Sequence, residues 1–374
     1  MVVQGAALLL ALAAVAGIGF QIAAALAVNR FVVRPRPLPH VRPTFSVLKP
    51  LCGAEPHLDD NLASVTAQGY PGLQLVCGVA DHADPARAVA EACGATVVVD
   101  PRRHGRNLKV GNLLNMLPQA SGDILAIADS DVRVRPGWAD DIAAGLEQPG
   151  VGLVTCLYVG RPAGGLWSAV GALGINHGFL PSALVARALG RTDGCFGATM
   201  ALKRDVLDRI GGLQPLADLL ADDWALGAAV RRLGLGIGLA PRPVDIVVDE
   251  PDLATLLAHE IRWGRTVAAV DRAGYVASVI TQPVALAALS WAAGASWPFA
   301  AVLTLAALAK LAVVRAEERA LELPRAGFGV LLLREALTFV VYVAAISGRS
   351  VTWRGKRFRV RPDGTLEPLE GAAQ

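Results

Sequence analysis

The chain has 374 residues, 53% of them hydrophobic and 18% charged, with a mean hydropathy of +0.46. That is too apolar for an ordinary water-soluble enzyme and too charged for a bare bundle of membrane helices, so long apolar runs must coexist with a water-facing domain. The net charge of +3 is small, and the Lys and Arg residues gather beside apolar runs, which gives no reason to invoke a nucleic-acid partner.

Residues 5–28 are almost continuously apolar and long enough to cross a bilayer. No basic stretch precedes them, as a cleaved signal would require; Arg30, Arg34, Arg36 and Arg42 follow instead. Residues 1–30 are therefore expected to be an anchor with its N-terminus outside and its exit in the cytoplasm. Five scattered cysteines (Cys52, Cys77, Cys93, Cys156 and Cys195) without a CxxC pair fit buried, reduced thiols rather than zinc ligands, in keeping with a cytoplasmic catalytic portion.

From residue 31 to 272 the texture changes. Short apolar runs at 45–48, 73–79, 96–99 and 124–128 are bounded by Gly, Pro and Asp, and stretches with helical spacing, such as 84–93, lie between them. This alternation predicts an α/β domain with a doubly wound, mostly parallel sheet, whose ligands bind outside the carboxyl ends of the strands. The apolar stretch 164–190 fits either a core element or a helix on the membrane surface that receives a lipid. Residues 273–349 hold three candidate membrane runs, 276–295, 297–314 and 328–346. The last contains Arg334 and Glu335, costly facing lipid, so it packs inward, lies at the interface or fails to span. The tail, 350–374, opens on the basic stretch 353–361, which by charge belongs inside. An odd number of crossings after the catalytic domain would put it outside, so one run is expected to be re-entrant.

The strongest chemical signal is the strand 124–128 running directly into Asp129-Ser-Asp131. Alternation places both carboxylates on one side of an extended backbone, where two hard oxygens suit a divalent cation holding a diphosphate. A solvated turn has the same composition, but the position at a strand's carboxyl end favours the functional reading. Asp81 and Asp84 end another strand, where a carboxylate can accept hydrogen bonds from a base or ribose; Asp84 before Pro85 is also a helix N-cap pattern. Arg106, Asn107 and Lys109 precede a helical pattern, fitting a polyanion or a solvated loop. Asp222 and Asp223 are adjacent carboxylates whose repulsion should raise one pKa toward that of a base, unless they cap a helix or pair with Arg231 or Arg232. His259, Arg262 and Trp263 stand just before the membrane runs, where Arg beside Trp suits a diphosphate or an interfacial anchor. The glycines at 234, 236 and 238 lack GxGxxG spacing, and no Ser-His-Asp arrangement, P-loop or HExxH is present.

The ordered set Ser46-Val-Leu-Lys49-Pro-Leu, Tyr70-Pro, Asp81-His-Ala-Asp84-Pro-Ala, Asn107-Leu-Lys109-Val-Gly-Asn112-Leu, Asp129-Ser-Asp131, Asp222-Asp223, Arg262-Trp263 and Trp353-Arg-Gly-Lys-Arg-Phe-Arg resembles the ceramide glucosyltransferase family, which shares three aspartate sites followed by a (Q/R)xxRW-type motif. Pro101-Arg-Arg-His-Gly and Leu173-Gly-Ile-Asn-His177-Gly-Phe-Leu-Pro-Ser more closely resemble its bacterial branch associated with hopanoid biosynthesis. The resemblance implies a GT-A fold, a UDP-sugar donor, a divalent cation (Mg2+ or Mn2+), inversion at the anomeric carbon, and a lipid acceptor: a hopanoid alcohol taking N-acetylglucosamine, or else ceramide taking glucose. It also implies a multi-pass protein of the bacterial inner membrane with its catalytic domain cytoplasmic. Carried over by position, Asp84 is the first family aspartate, Asp129 the second with Asp131 completing the metal pair, and Asp223 the third and the base, beside Asp222. Lys49, Asp81, Asn107 and Lys109 join the donor site, which Arg262 and Trp263 close. His177 falls where the family has a histidine linked to acceptor or inhibitor binding. His259 replaces the usual Gln or Arg, a departure that fits the hopanoid-type branch and marks it for the acceptor. Outside this reading stand a processive polysaccharide synthase, which would normally show Gln at position 259, and a membrane transporter or scaffold, which strand-end carboxylates argue against.

Overall fold

A computed structural model describes residues 2–348, 350–353, 356–361 and 365–369. Its strands are β1 (Phe45–Pro50), β2 (Leu73–Val79), β3 (Thr96–Val99), β4 (Ile124–Ala128), β5 (Val132–Arg133), β6 (Val151–Thr155), β7 (Tyr158–Pro162), β8 (Thr199–Lys203), β9 (Gly236–Leu239), β10 (Val244–Val248), β11 (Ser350–Trp353), β12 (Lys356–Val360) and β13 (Leu366–Pro368). The helices of the α/β part are α2 (Leu58–Thr66), α3 (Pro85–Ala92), α4 (Leu108–Met116), α5 (Trp138–Leu146), α6 (Gly165–Gly174), α7 (Leu180–Ala188), α8 (Arg204–Arg209), α9 (Asp222–Arg232) and α10 (Leu253–Val270). Before them lies α1 (Val2–Val32), and after them α11 (Arg272–Ala277), α12 (Pro283–Gly294), α13 (Trp297–Ala320) and α14 (Phe328–Ile346).

The main sheet has the order β3-β2-β1-β4-β8-β6-β9, with β3, β2, β1 and β4 parallel and β8 antiparallel to both its neighbours. Strand β4 explains why the apolar runs are continuous rather than alternating: Ile124, Ala126 and Ala128 enter one core while Leu125 and Ile127 enter the other. A strand covered by helices on both faces must be apolar at every position. Because β1, β2 and β4 run the same way, Pro50, Val79 and Ala128 end on one edge. A smaller sheet, β5-β10-β7, packs beside that edge.

Among the described residues, four helices are long and apolar enough to cross a membrane: α1, α13, α14 and the broken helix Gly165–Ala188 formed by α6, a π turn and α7. Half of this last segment's apolar window is buried against the rest of the fold. The run 276–295 departs from a simple span. Pro283 removes a backbone donor and Gln282 leaves the helical region, and the chain bends by 74° between 272–281 and 283–294. Helix α1 packs on α12, where Gln21 Nε2 donates to the Thr281 carbonyl and Ser290 Oγ to that of Ala7. Part of the basic cluster after α1 is structural: Arg36 and Arg42 pair with Asp141 and Asp140 of α5, each at 2.9 Å. Cys77, Cys156 and Cys195 are buried as expected, whereas Cys52 is exposed. The tail strands β11–β13 form a small antiparallel sheet; Arg354 and Gly355 of the basic stretch, and residues 370–374, lie outside the described residues.

Candidate active site

The polar residues picked out by their position after apolar runs gather at the shared carboxyl edge of β1, β2 and β4. Beyond Ala128 the chain turns, with the Val132 N–H donating to the Asp129 carbonyl at 3.2 Å. Lys49, near the end of β1, has no exposed surface; its ammonium donates to the carbonyls of Asp129 (2.9 Å) and Val132 (2.7 Å). Burial pushes its pKa down to about 8, opposed by Asp131, Cys77, Asp129 and Glu55. Lys49 is thus sealed under the turn, bonded to the loop that carries the two carboxylates.

Helix α4 starts at the same edge because Asn107 caps it, its Oδ1 accepting from the Val110 N–H at 3.1 Å. The Asn107 amide reaches back to the Leu219 carbonyl (2.8 Å) and to Asp222 Oδ1 (3.5 Å), which ties α4 to the start of α9. Two residues on, Lys109 Nζ stands 2.6 Å from Asp129 Oδ1 and 3.5 Å from Asp222 Oδ2. Burial works against its charge, but Asp129, Asp222 and Asp223 override it and hold the ammonium above the ordinary lysine range. Burial, then Asp129 and Glu55, push Asp131 up to about 7. Burial and then Asp222 push Asp223 to about 6, against the Trp224 N–H, which donates to it at 2.7 Å, and Lys109. Asp223 packs against the backbone of Gly197, where a Cβ would sit 3.2 Å from its Oδ2.

Lys109 thus pairs with Asp129 and Asp222 and feels the charge of Asp131 and Asp223, while Lys49 lies beneath the turn. Such an excess of negative charge, with Asp131 and Asp223 both driven toward protonation, fits a divalent cation, and two carboxylates on one turn are hard oxygen donors suited to Mg2+ or Mn2+. Among the described residues no group of three or more His, Cys, Asp or Glu side chains could hold a metal.

The other predicted residues lie in separate groups. Asp84 is both cap and edge residue: it accepts from the Ala86 N–H (2.9 Å) and from the Gly53 N–H (3.0 Å) in the loop after β1, while exposed Asp81 accepts from the Ala83 N–H (2.9 Å). On α10, the Arg262 guanidinium lies 5.8 Å from the centre of the Trp263 ring, and His259 Nδ1 is 2.9 Å from Glu250 Oε1. His177 stands in the π turn, its side chain 4% exposed, with Nδ1 2.7 Å from Glu317 Oε2 of α13. Its bonds run into the helix bundle rather than to the carboxylates.

An aromatic wall was not visible from the sequence. Tyr158 stacks on Phe179 at 4.5 Å, and Phe179 meets Phe196 edge-on at 5.3 Å. Burial and then Asp223, Asp131 and Asp129 raise the Tyr158 phenol, which places it beside the acidic cluster. These three residues come from a strand, a π turn and a loop, and no spacing signal joins them. Phe179 belongs to the apolar segment 164–190, so this wall runs from the carboxylates to the apolar helices.

The profile of glycosyl transferase family 21 matches residues 9–366. Over 233 residues the chain is 24% identical to Ceramide glucosyltransferase 1 of Caenorhabditis elegans, covering 60% of this chain and 49% of that protein, so it spans about half the length of this curated relative. A mannosyltransferase from Pyrobaculum calidifontis, solved with GDP-Man and Mn2+, superposes with a TM-score of 0.59 at 20% identity over 92% of this chain and 98% of that one. More distantly, glucosyl-3-phosphoglycerate synthase from Mycobacterium tuberculosis, solved with phosphoglyceric acid, gives 0.41 at 23% identity over 60% and 79%. The mixed, mostly parallel sheet with its helices is therefore the GT-A arrangement expected from the sequence. Since the profile runs from the first helix to the tail strands, the chain belongs to glycosyl transferase family 21.

Proposed function

We propose that the chain transfers a sugar from a UDP-sugar to the hydroxyl of a membrane lipid, with inversion and with a divalent cation. The observation that carries this reading is the acidic cluster around Lys109 at the sheet's carboxyl edge, joined by an aromatic wall to apolar helices. A cation held by Asp129 and Asp131 would offset charge on the departing diphosphate. Lys109 adds a fixed positive charge beside that diphosphate, and Lys49 keeps the turn in shape. Asp81, Asp84 and Asn107 line the nucleotide side, and Arg262 with Trp263 closes it. Asp223, already biased toward proton uptake, accepts the proton of the lipid hydroxyl as that oxygen attacks the anomeric carbon, with Asp222 keeping its pKa raised. The Tyr158-Phe179-Phe196 wall and the segment 165–188 guide the apolar part of the acceptor, with His177 and His259 on the acceptor side.

The narrower reading is transfer of N-acetylglucosamine to a hopanoid alcohol of the bacteriohopanetetrol type, at the cytoplasmic face of a bacterial inner membrane. It is supported by the resemblance around Pro101-Arg-Arg-His-Gly, His177 and His259. The second reading, glucose to ceramide, is favoured by the likeness to the nematode ceramide glucosyltransferase. The test offers UDP-N-acetylglucosamine and UDP-glucose separately against bacteriohopanetetrol and ceramide in proteoliposomes with Mg2+ or Mn2+. Product from N-acetylglucosamine and the hopanoid alone supports the narrow reading; glucosylceramide moves the protein to the second. Absence of any metal-dependent glycolipid across the matrix would overturn both.

A further inference from the structure

Arg334 and Glu335 were expected to be costly on an apolar helix, and each is answered from a different helix. Lys310 of α13 stands 3.1 Å from Glu335. Arg334 is only 6% exposed and grips Glu260 of α10 with both arms of its guanidinium, at 2.5 and 2.9 Å; it also donates to the Thr338 hydroxyl (2.9 Å) and the Val170 carbonyl (3.4 Å). Glu260 belongs to a four-residue repeat along α10 that faces α14. Leu256 shares a buried cluster with Val170 and Leu337, a Cβ at Gly264 would lie 2.9 Å from that of Ala345, and Ala268 is buried. Arg265 donates to the Ala344 carbonyl at 3.3 Å and to that of Ser350. Arg262 lies on the opposite side of the same helical turns, while Trp263, three residues after Glu260, and His259, one before it, border this stripe.

We propose that the Glu260–Arg334 pair is a positioning device: it fixes α10 against the membrane helix α14 and so sets where Arg262 and Trp263 stand relative to the donor. The inference rests on the donor-site reading above. A buried ion pair adds little net stability over well-packed apolar residues, but the two-pronged fork admits one register between helices, and register is the best-attested use of such pairs. A small displacement of positioning groups lowers rate disproportionately.

The test uses the full chain in detergent, with UDP–Mn2+ affinity measured by calorimetry, donor and acceptor KM, kcat and the melting temperature. Arg334→Gln and Glu260→Gln should each weaken UDP–Mn2+ binding about tenfold and lower kcat/KM for the donor about 100-fold, with acceptor KM little changed. The exchange Glu260→Arg with Arg334→Glu should recover at least about a tenth of wild-type kcat/KM. Should Arg334→Gln fail to fold, Arg334→Lys, which keeps the charge and loses the fork, should fold and show the same donor defect in weaker form. Variants that melt earlier yet keep wild-type donor affinity and KM would overturn the proposal, as would an exchange that folds and recovers nothing. Wild-type protein with no affinity for UDP–Mn2+ would overturn the donor-site reading and this inference with it; wild-type binding matched by Arg334→Gln would overturn the inference alone.

Discussion

Replacing Lys109 by methionine keeps the length of the side chain and removes the one ammonium shared by Asp129 and Asp222. At 2.6 and 3.5 Å, the two attractions are worth ~6 and ~5 kcal/mol at an effective dielectric of about 20, before the desolvation of the ammonium is subtracted. Breaking a buried ion pair by removing one partner typically costs about 3–5 kcal/mol, because the other charge is left uncompensated. The Asp129 side chain is 36% exposed, and water screens part of that loss, so roughly 2–3 kcal/mol is expected. For a chain of 374 residues that corresponds to a fall of roughly 2–4 °C in melting temperature. The assay is a thermal-shift series in detergent on Lys109→Met and wild type, each with and without saturating UDP and Mn2+. The decrement should be largest without ligands and shrink when they are present, because the cation supplies part of the missing positive charge. An unchanged melting temperature in the free variant, or an equal decrement in both conditions, would refute the electrostatic reasoning.

Two further outcomes follow from the same edge of the sheet. With Mn2+ in excess, kcat/KM for transfer should fall tenfold per pH unit once pH drops through about 6, since Asp223 acts only when ionised and burial beside Asp222 holds its pKa there; a flat profile from pH 7 to 5 would exclude it as the base. Lys49→Met leaves two turn carbonyls without their donor and should raise the Mn2+ concentration needed for half-maximal activity about tenfold, with donor KM at saturating Mn2+ changed far less; the opposite pattern would mean that Lys49 contacts the donor directly.

Local chemistry was the part of this fold that the sequence made legible. Strands β2, β3 and β4 start and stop where Gly, Pro and Asp bracket apolar runs, and the carboxylates after β4 could be placed at the ligand edge because a parallel sheet binds at its carboxyl ends. Asp84 before Pro85 announced its cap, and the Asp84 side chain does accept the Ala86 N–H. What escaped is long-range pairing. The antiparallel insertion of β8 between β4 and β6 follows from chain routing that no residue advertises. The burial of Lys49 was hidden because it depends on the Asp129 turn, 80 residues away in sequence, closing over it. Arg334 was legible as a problem but not as a solution, since its partner Glu260 sits 74 residues earlier on another helix. The bend at Gln282 was within reach of the sequence, because Pro283 breaks an otherwise apolar run.

The most direct measurement compares wild type with Asp223→Asn in single-turnover transfer to a lipid acceptor, alongside UDP–Mn2+ affinity by calorimetry. The variant keeps the shape of the side chain and removes its negative charge together with its capacity to take a proton. Transfer should fall at least about 1,000-fold while UDP–Mn2+ affinity stays within about threefold of wild type. Transfer that survives, or affinity lost in equal measure, would contradict the assignment of Asp223 as the base in a lipid-directed sugar transfer.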